Sequence, residues 1–241
     1  MRFVPVKSRE QQAGLSLHRV RSLLIRQRTQ LVNLMRSQLG EFGLAIPTGL
    51  GQALTKARQL VDDEVAFDLP DPASEIIALL ARQALEIHAR LREIDLRIGA
   101  IQRSDDVARR LSTIPGIGPV GATALAATVA DPHQFRSGRQ FAAWLGLTPR
   151  QKSSGGKERL GSITKMGDKY LRQLLVIGAT SMIRRAKDKP DAVDPRLIAL
   201  LARKPAKLAS IALANKIARI AWAIMTRGEV YHARHLPALA A

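Results

Sequence analysis

Residues 149–159 read PRQKSSGGKER. Two adjacent hydroxyls, Ser153 and Ser154, stand on a Gly155–Gly156 hinge, with Arg150 and Lys152 before them and Lys157 and Arg159 after; Glu158 is the one acid. Glycines let a backbone approach a phosphate, and cations can hold the non-bridging oxygens while a serine attacks phosphorus. Such a nucleophile also needs a proton acceptor. No base is evident nearby in sequence, and no Ser/His/Asp triad can be assembled from this stretch. Spacing alone therefore supports a phosphate-binding turn and leaves catalysis open. A nucleotide-cradling P-loop is excluded, because Glu158 follows Gly156–Lys157 where Ser or Thr is required, and Gln151 stands at the earlier glycine position.

The serines lie in a longer stretch, GLTPRQKSSGGKERLGSITKMG from Gly146 to Gly167, which lacks helical periodicity and reads as a long loop. Arg150, Lys152, Lys157, Arg159, Lys165, Lys169 and Arg172 are candidate phosphate contacts in and just after it. A second candidate is IPGIGPVGATALAA, where Gly116 and Gly118 separate a helix ending near Ile114 from one opened by Pro119. This is a helix-hairpin-helix pattern, in which the glycines admit a phosphate to the N–H groups of the next helix. The same residues would also make a tight corner between two packed helices.

The elements that must position these groups read as helices. Residues 8–39 have no proline and carry Leu17, Val20, Leu24, Leu31 and Leu34 at helical spacing among arginines, which predicts a long basic helix ending at Gly40. GEFGLAIPTGLGQ is a connection. Residues 61–80 hold Asp62, Asp63, Glu64, Asp68, Asp71 and Glu75 without a single Lys or Arg. Ile77, Leu80, Ala84, Ile87, Leu91, Ile94, Ile98 and Ile101 then alternate steps of three and four, the seam of a coiled coil. That seam can pack against the first helix within the chain, but a homo-oligomer joined through the coiled coil is the expectation. Ser104 is the expected cap of the next helix. Ser137 and Gln140 form a capping box before Phe141, Trp144 and Leu145, which read as core.

The expected fold is all-α: a basic helix and coiled-coil region (1–103), a compact helical domain with the helix-hairpin-helix and the Gly/Ser/basic loop (104–230), and a tail (231–241). The net charge of +18 and pI near 11.3 call for a polyanionic partner, most simply nucleic acid. No stretch approaches about 18 uninterrupted apolar residues, and MRFVPVKSREQQ lacks the apolar core of a signal peptide. No membrane partner is expected, and the expected location is the cytoplasm, with the nucleoid. With no cysteine, and with His18, His88, His133, His232 and His235 giving no ligand cluster, no metal site is expected.

The run from IPGIGPVGATALAATVADPHQFRSGRQFAAWLGL through TPRQKSSGGKERLGSITKMGDKYLRQLL, with the tail RKPAKLASIALANKIARIAWAIMTRGEVY, resembles the C-terminal half of the IS110/IS1111 family of insertion-sequence transposases. The N-terminal RFVPVKSREQQAGLSLHRVRSLLIRQRTQLVNLMRSQLGEFG looks like that family's linker into its coiled coil, so the resemblance covers almost the whole chain. It implies DNA transposition guided by a structured RNA that pairs with both DNAs. It also implies a serine that joins covalently to the DNA end: Ser154, immediately before a glycine and shortly after the Thr-Pro pair, with Ser153 as second choice. A RuvC-like domain with four metal-binding acids precedes this region in the family. Neither that domain nor its acids is recognisable here, and the acids at 61–80 stand in a different context. Mg²⁺ is accordingly expected only with that domain, and the chain alone is expected to bind nucleic acid without recombining it.

Overall fold

The computed structural model describes residues 5–62, 69–157, 159–190 and 193–232. Asp63, Glu64 and Asp68 of the acidic segment, Glu158, and nearly all of the expected tail lie outside the described residues. The chain is mostly helical and divides into two compact units. One is Ser16–Arg97; the other joins the first fifteen residues to everything from Ile98 onward.

The first unit is built from most of α1 (Arg9–Glu41), all of α2 (Leu50–Val61) and most of α3 (Ala73–Ser104). Val32, Met35 and Leu39 of α1, Ala53, Ala57 and Leu60 of α2, and Ile77, Leu80, Ala81 and Ala84 of α3 form one buried cluster. Arg21 Nε donates to Asp95 Oδ1 at 2.6 Å, and Arg28 Nη1 meets His88 Nδ1 at 2.9 Å. These pairs are seven residues apart on each helix and run in opposite directions, so α1 and α3 are antiparallel. Of the expected seam, Ile77, Leu80, Ala84, Leu91 and Ile98 are buried, Ile87 and Ile94 are half-buried, and Ile101 is exposed.

The second unit contains α4 (Asp106–Leu111), α5 (Pro119–Thr128), a 3-10 turn (Pro132–Gln134), α6 (Gly138–Trp144), α7 (Lys169–Asp188), α8 (Pro195–Arg203) and α9 (Ala206–Arg227). α9 lies at its centre and touches α4, α6, α7, α8 and the 3-10 turn. It is the helix among the described residues that is long and apolar enough, by length and composition, to cross a membrane. Its apolar residues Leu213, Ala214, Ile217, Ala218, Ala221 and Ile224 are buried in the unit's core. Phe135, Phe141 and Trp144 pack with ring centroids 5.1 to 5.8 Å apart, as expected of core aromatics.

Two expectations need correction. Ser104 does not cap the next helix: it ends α3, and its hydroxyl donates back to Ile101 O at 3.1 Å. Asp105 takes the cap by accepting from Ala108 N at 2.8 Å, because its carboxylate already lies beside the free N–H groups of the first turn. The stretch from Gly146 to Gly167 is also not all loop, since it contains two strands.

His18 is buried, and burial first, then Arg21, lowers its imidazole from an ordinary 6.5 to about 4. Between those values the unfolded chain takes up a proton that the folded chain refuses. Stability should therefore be full above pH 6.5 and fall as pH drops towards 4, by on the order of 3 kcal/mol. His88 adds to this with the same sign, lowered by burial and then by Arg28, Arg92 and Arg58. Denaturant melts across this window should show the loss, and His18→Leu should remove most of it. In the second unit a methyl at Gly178 would meet Gly116 O at 1.8 Å. Gly178→Ala should cost about 2–3 kcal/mol or more in thermal unfolding, whereas Gly121→Ala, meeting only Ile117 Cγ2 at 3.4 Å, should stay within about 1 kcal/mol of neutral.

Candidate nucleic-acid interface

β1 (Pro149–Gln151) and β2 (Leu160–Ile163) pair antiparallel as a hairpin whose tip carries both serines. Lys157 N donates to Ser154 O at 3.1 Å, and the two residues between them, Gly155 and Gly156, have φ of 56° and 76°. Two successive positive φ values suit the two-residue turn that matches strand twist, and glycine adopts them without strain. Lys152 N donates to Arg159 O at 2.9 Å one step down the stem. Every residue of β1 is exposed, so the hairpin stands out from the helical body.

The two serines are used differently. Ser153 Oγ accepts from Arg159 N at 3.0 Å and from Gln151 Nε2 at 2.8 Å, which ties the strands together. Ser154 is exposed at the tip, and its hydroxyl has no partner among the described residues. Ser154 can therefore be approached without breaking the hairpin.

Lys152, Lys157 and Arg159 are exposed beside the tip and pair with no carboxylate among the described residues. Arg150 Nη2 donates to Thr164 O at 3.2 Å, along the stem. Lys165 is exposed at the return with φ of 57°. Lys169 opens α7, whose N-terminus Asp168 caps by accepting from Leu171 N at 2.8 Å. Arg172 is engaged by the fold itself. Its Nη1 donates to Leu145 O at 2.9 Å and Met166 O at 3.1 Å, bridging the two chain segments at the hairpin's neck.

That neck is closed backbone to backbone. A Cβ on Gly146 would lie 2.2 Å from Met166 O, and one on Gly167 would lie 1.8 Å from Trp144 O. Both glycines have positive φ, 69° and 78°. Asn215 Nδ2 on α9 donates to Leu147 O at 3.1 Å and anchors the root of the hairpin to the central helix. Neither Arg172's clamp nor Asn215 was legible in the sequence, because both act on carbonyls from distant or non-periodic segments.

Gly116 packs against α7 and α9, with Gly178 O, Met182 Sδ and Ile217 Cδ1 around its missing side chain. Its positive φ of 89° serves this close helix crossing. Gly118 is exposed, faces open space, and precedes Pro119 at the start of α5.

Among the described residues, no three His, Asp or Glu side chains gather to hold a metal ion. The Mg²⁺ implied by the resemblance is expected with the RuvC-like domain, and no step here is assigned to a metal. The charge is unevenly shared: Ser16–Arg97 carries eleven Lys and Arg against ten Asp and Glu, and the other unit twenty-seven against ten. The excess positive charge therefore belongs to the unit that carries the hairpin.

Residues 108–193, which include this hairpin, match the sequence profile of the transposase IS116/IS110/IS902 family. The chain is 49% identical over 234 residues to a probable family 20 transposase of Pseudomonas aeruginosa, covering 96% of this chain and 68% of that protein. It is 37% identical over 231 residues to the transposase for insertion sequence element IS1328 of Yersinia enterocolitica, again 96% and 68%. It is 36% identical over 231 residues to the transposase for insertion sequence element IS1111A of Coxiella burnetii, covering 96% of this chain and 63% of that one. The chain thus spans roughly two thirds of the length of these relatives.

Removing the Arg172 clamp should loosen the neck. Arg172→Ala is expected to cost about 1–3 kcal/mol, since two carbonyls lose a charged donor, and to speed hydrogen exchange of the stem amides Lys152 and Thr164. Unchanged exchange at those amides would show that the glycine crossing alone holds the neck.

Proposed function

Because the chain belongs to the IS116/IS110/IS902 transposase family, we propose that it is the part of an insertion-sequence transposase that grips DNA and presents Ser154 to the scissile phosphodiester. The observation that carries this reading is the contrast between the serines: Ser153 holds the hairpin closed, while Ser154 is exposed and, among the described residues, unengaged beside three cations that meet no carboxylate. Ser154 Oγ would form a bond to phosphorus as the bond to the departing deoxyribose oxygen breaks. The phosphodiester energy is then kept in a serine–DNA ester for rejoining. Lys152, Lys157, Arg159 and Lys165 would stabilise the charge on the non-bridging oxygens, with Arg150, Lys169 and the Gly118 end of the helix-hairpin-helix on neighbouring phosphates. Arg172 and Gly116 act through position.

No carboxylate or imidazole lies within hydrogen-bond reach of Ser154 among the described residues, and in this proposal the proton acceptor comes from another element. In the family resemblance that element is the RuvC-like domain, which also brings Mg²⁺, while a structured guide RNA selects the DNA by base pairing. The antiparallel α1/α3 pair would serve as the coiled coil, and its exposed Val20, Leu23, Leu34, Ile76 and Leu79 would join copies of the chain. The same lack of a base supports a second reading, in which the chain is a non-enzymatic nucleic-acid-binding and oligomerisation module.

In a protein carrying this chain with a RuvC-like domain, Ser154→Ala should reduce element excision at least about a thousandfold, while DNA affinity stays unchanged. Ser153→Ala should weaken excision only partly, by loosening the stem. If excision survives Ser154→Ala at full rate, the hairpin is a binding element and the second reading stands.

A further inference from the structure

Three arginines that sequence reading left unassigned come together beside the root of the hairpin. Arg136 and Arg139 flank Gly138 at the start of α6, and Arg219 lies on α9, eighty residues later. The two segments touch through glycine: a Cβ on Gly138 would lie 3.1 Å from Arg219 O and 3.2 Å from Arg219 Cα and Cβ. The bare glycine thus sets the spacing that brings the arginines together. All three are exposed, and none pairs with a carboxylate among the described residues. The nearby acids are engaged elsewhere, since Asp131 Oδ1 accepts from His133 N at 2.8 Å and Asp194 Oδ2 takes Lys216 Nζ at 3.0 Å.

The helix that bears Arg219 also carries the hairpin's anchor. Asn215, holding Leu147 O, precedes Arg219 by four residues, about 6 Å along α9. Trp222 Nε1 donates to Pro132 O at 3.1 Å and fixes the segment leading to Arg136. Three successive turns of α9 thus hold the hairpin root, the α6 start and the 3-10 turn in one rigid surface.

We infer that Arg136, Arg139 and Arg219 form a second phosphate clamp, which grips the backbone of the duplex DNA engaged by the serine hairpin. Three exposed arginines on adjoining backbone, with no carboxylate partner among the described residues, match phosphate oxygens better than any neutral partner, and their planar forks take two oxygens at once. Each phosphate neutralised releases counterions, so the clamp should appear in the salt dependence of binding. This inference rests on the proposal that the chain binds DNA through the hairpin.

The test measures affinity of the full chain for a fluorescein-labelled duplex DNA, and for duplex RNA of the same sequence, across a salt series. It compares the unsubstituted chain with a clamp variant, Arg136→Gln/Arg139→Gln/Arg219→Gln, and a hairpin variant, Lys152→Gln/Lys157→Gln/Arg159→Gln. Circular dichroism melts check that each variant is folded. The clamp variant should make the log–log salt slope for DNA shallower by about 2 to 3 and weaken low-salt binding more than tenfold. If the clamp variant keeps the original slope while the hairpin variant loses it, the clamp is overturned and the hairpin proposal stands. If the clamp variant loses it and the hairpin variant does not, the clamp stands and the hairpin's role fails. Unchanged slopes in both overturn both, and a loss confined to RNA overturns the clamp as a DNA contact.

Discussion

The protein's chemistry depends on two places where backbone meets backbone at a distance only glycine permits. At Gly146 and Gly167 the chain crosses itself with Trp144 O and Met166 O where side chains would be, and the hairpin emerges from that crossing. At Gly178 the middle of α7 leans on the carbonyl of Gly116, which sets α7 against the helical corner. Since α7 begins beside the crossing and its Arg172 clamps both chain segments of the neck, the two contacts form one mechanical unit. The glycine-serine tip is thereby mounted on a closely packed base, an arrangement that would suit the proposed approach to a phosphodiester.

Charge is partitioned as the geometry suggests. Within Ser16–Arg97, long helices pair a nearly balanced set of charges, and arginines such as Arg21 and Arg28 are used on Asp95 and His88. The second unit holds nearly all the excess positive charge, and most of its cations remain unpaired among the described residues. A surface kept this positive repels itself and favours a polyanionic partner. α9 is the spine that organises it: one helix buries the apolar core, anchors the hairpin through Asn215 and carries Arg219.

Much of this was legible in the residues, where local chemistry decides the outcome. The capping box predicted from Ser137 and Gln140 forms, with Gln140 N donating to Ser137 Oγ at 3.3 Å and Gln140 Oε1 accepting from Arg136 N at 2.6 Å. Pro119 opens α5, and the apolar steps of α3 fall on one helix, because periodicity and caps act within a few residues. The strands were missed because their short pairing carries no apolar alternation; a Gly-Gly turn and cross-strand hydrogen bonds hold them instead. The division of labour between Ser153 and Ser154 was also hidden, since it is set by Arg159 N reaching back across the stem. Arg172 was read as a phosphate contact for its charge, and only the fold reveals the two carbonyls it serves.

The central claim, that Ser154 is the hydroxyl delivered to phosphorus, is tested most directly by locating the covalent bond. A protein carrying this chain with a RuvC-like domain would be incubated with element-end DNA bearing a bridging phosphorothiolate, whose sulfur leaving group cannot readily rejoin. Proteolysis and mass spectrometry would then map the nucleotide adduct. The account predicts an adduct on Ser154 and an unmodified Ser153. An adduct on Ser153, or strand exchange that proceeds with no serine adduct, would contradict it.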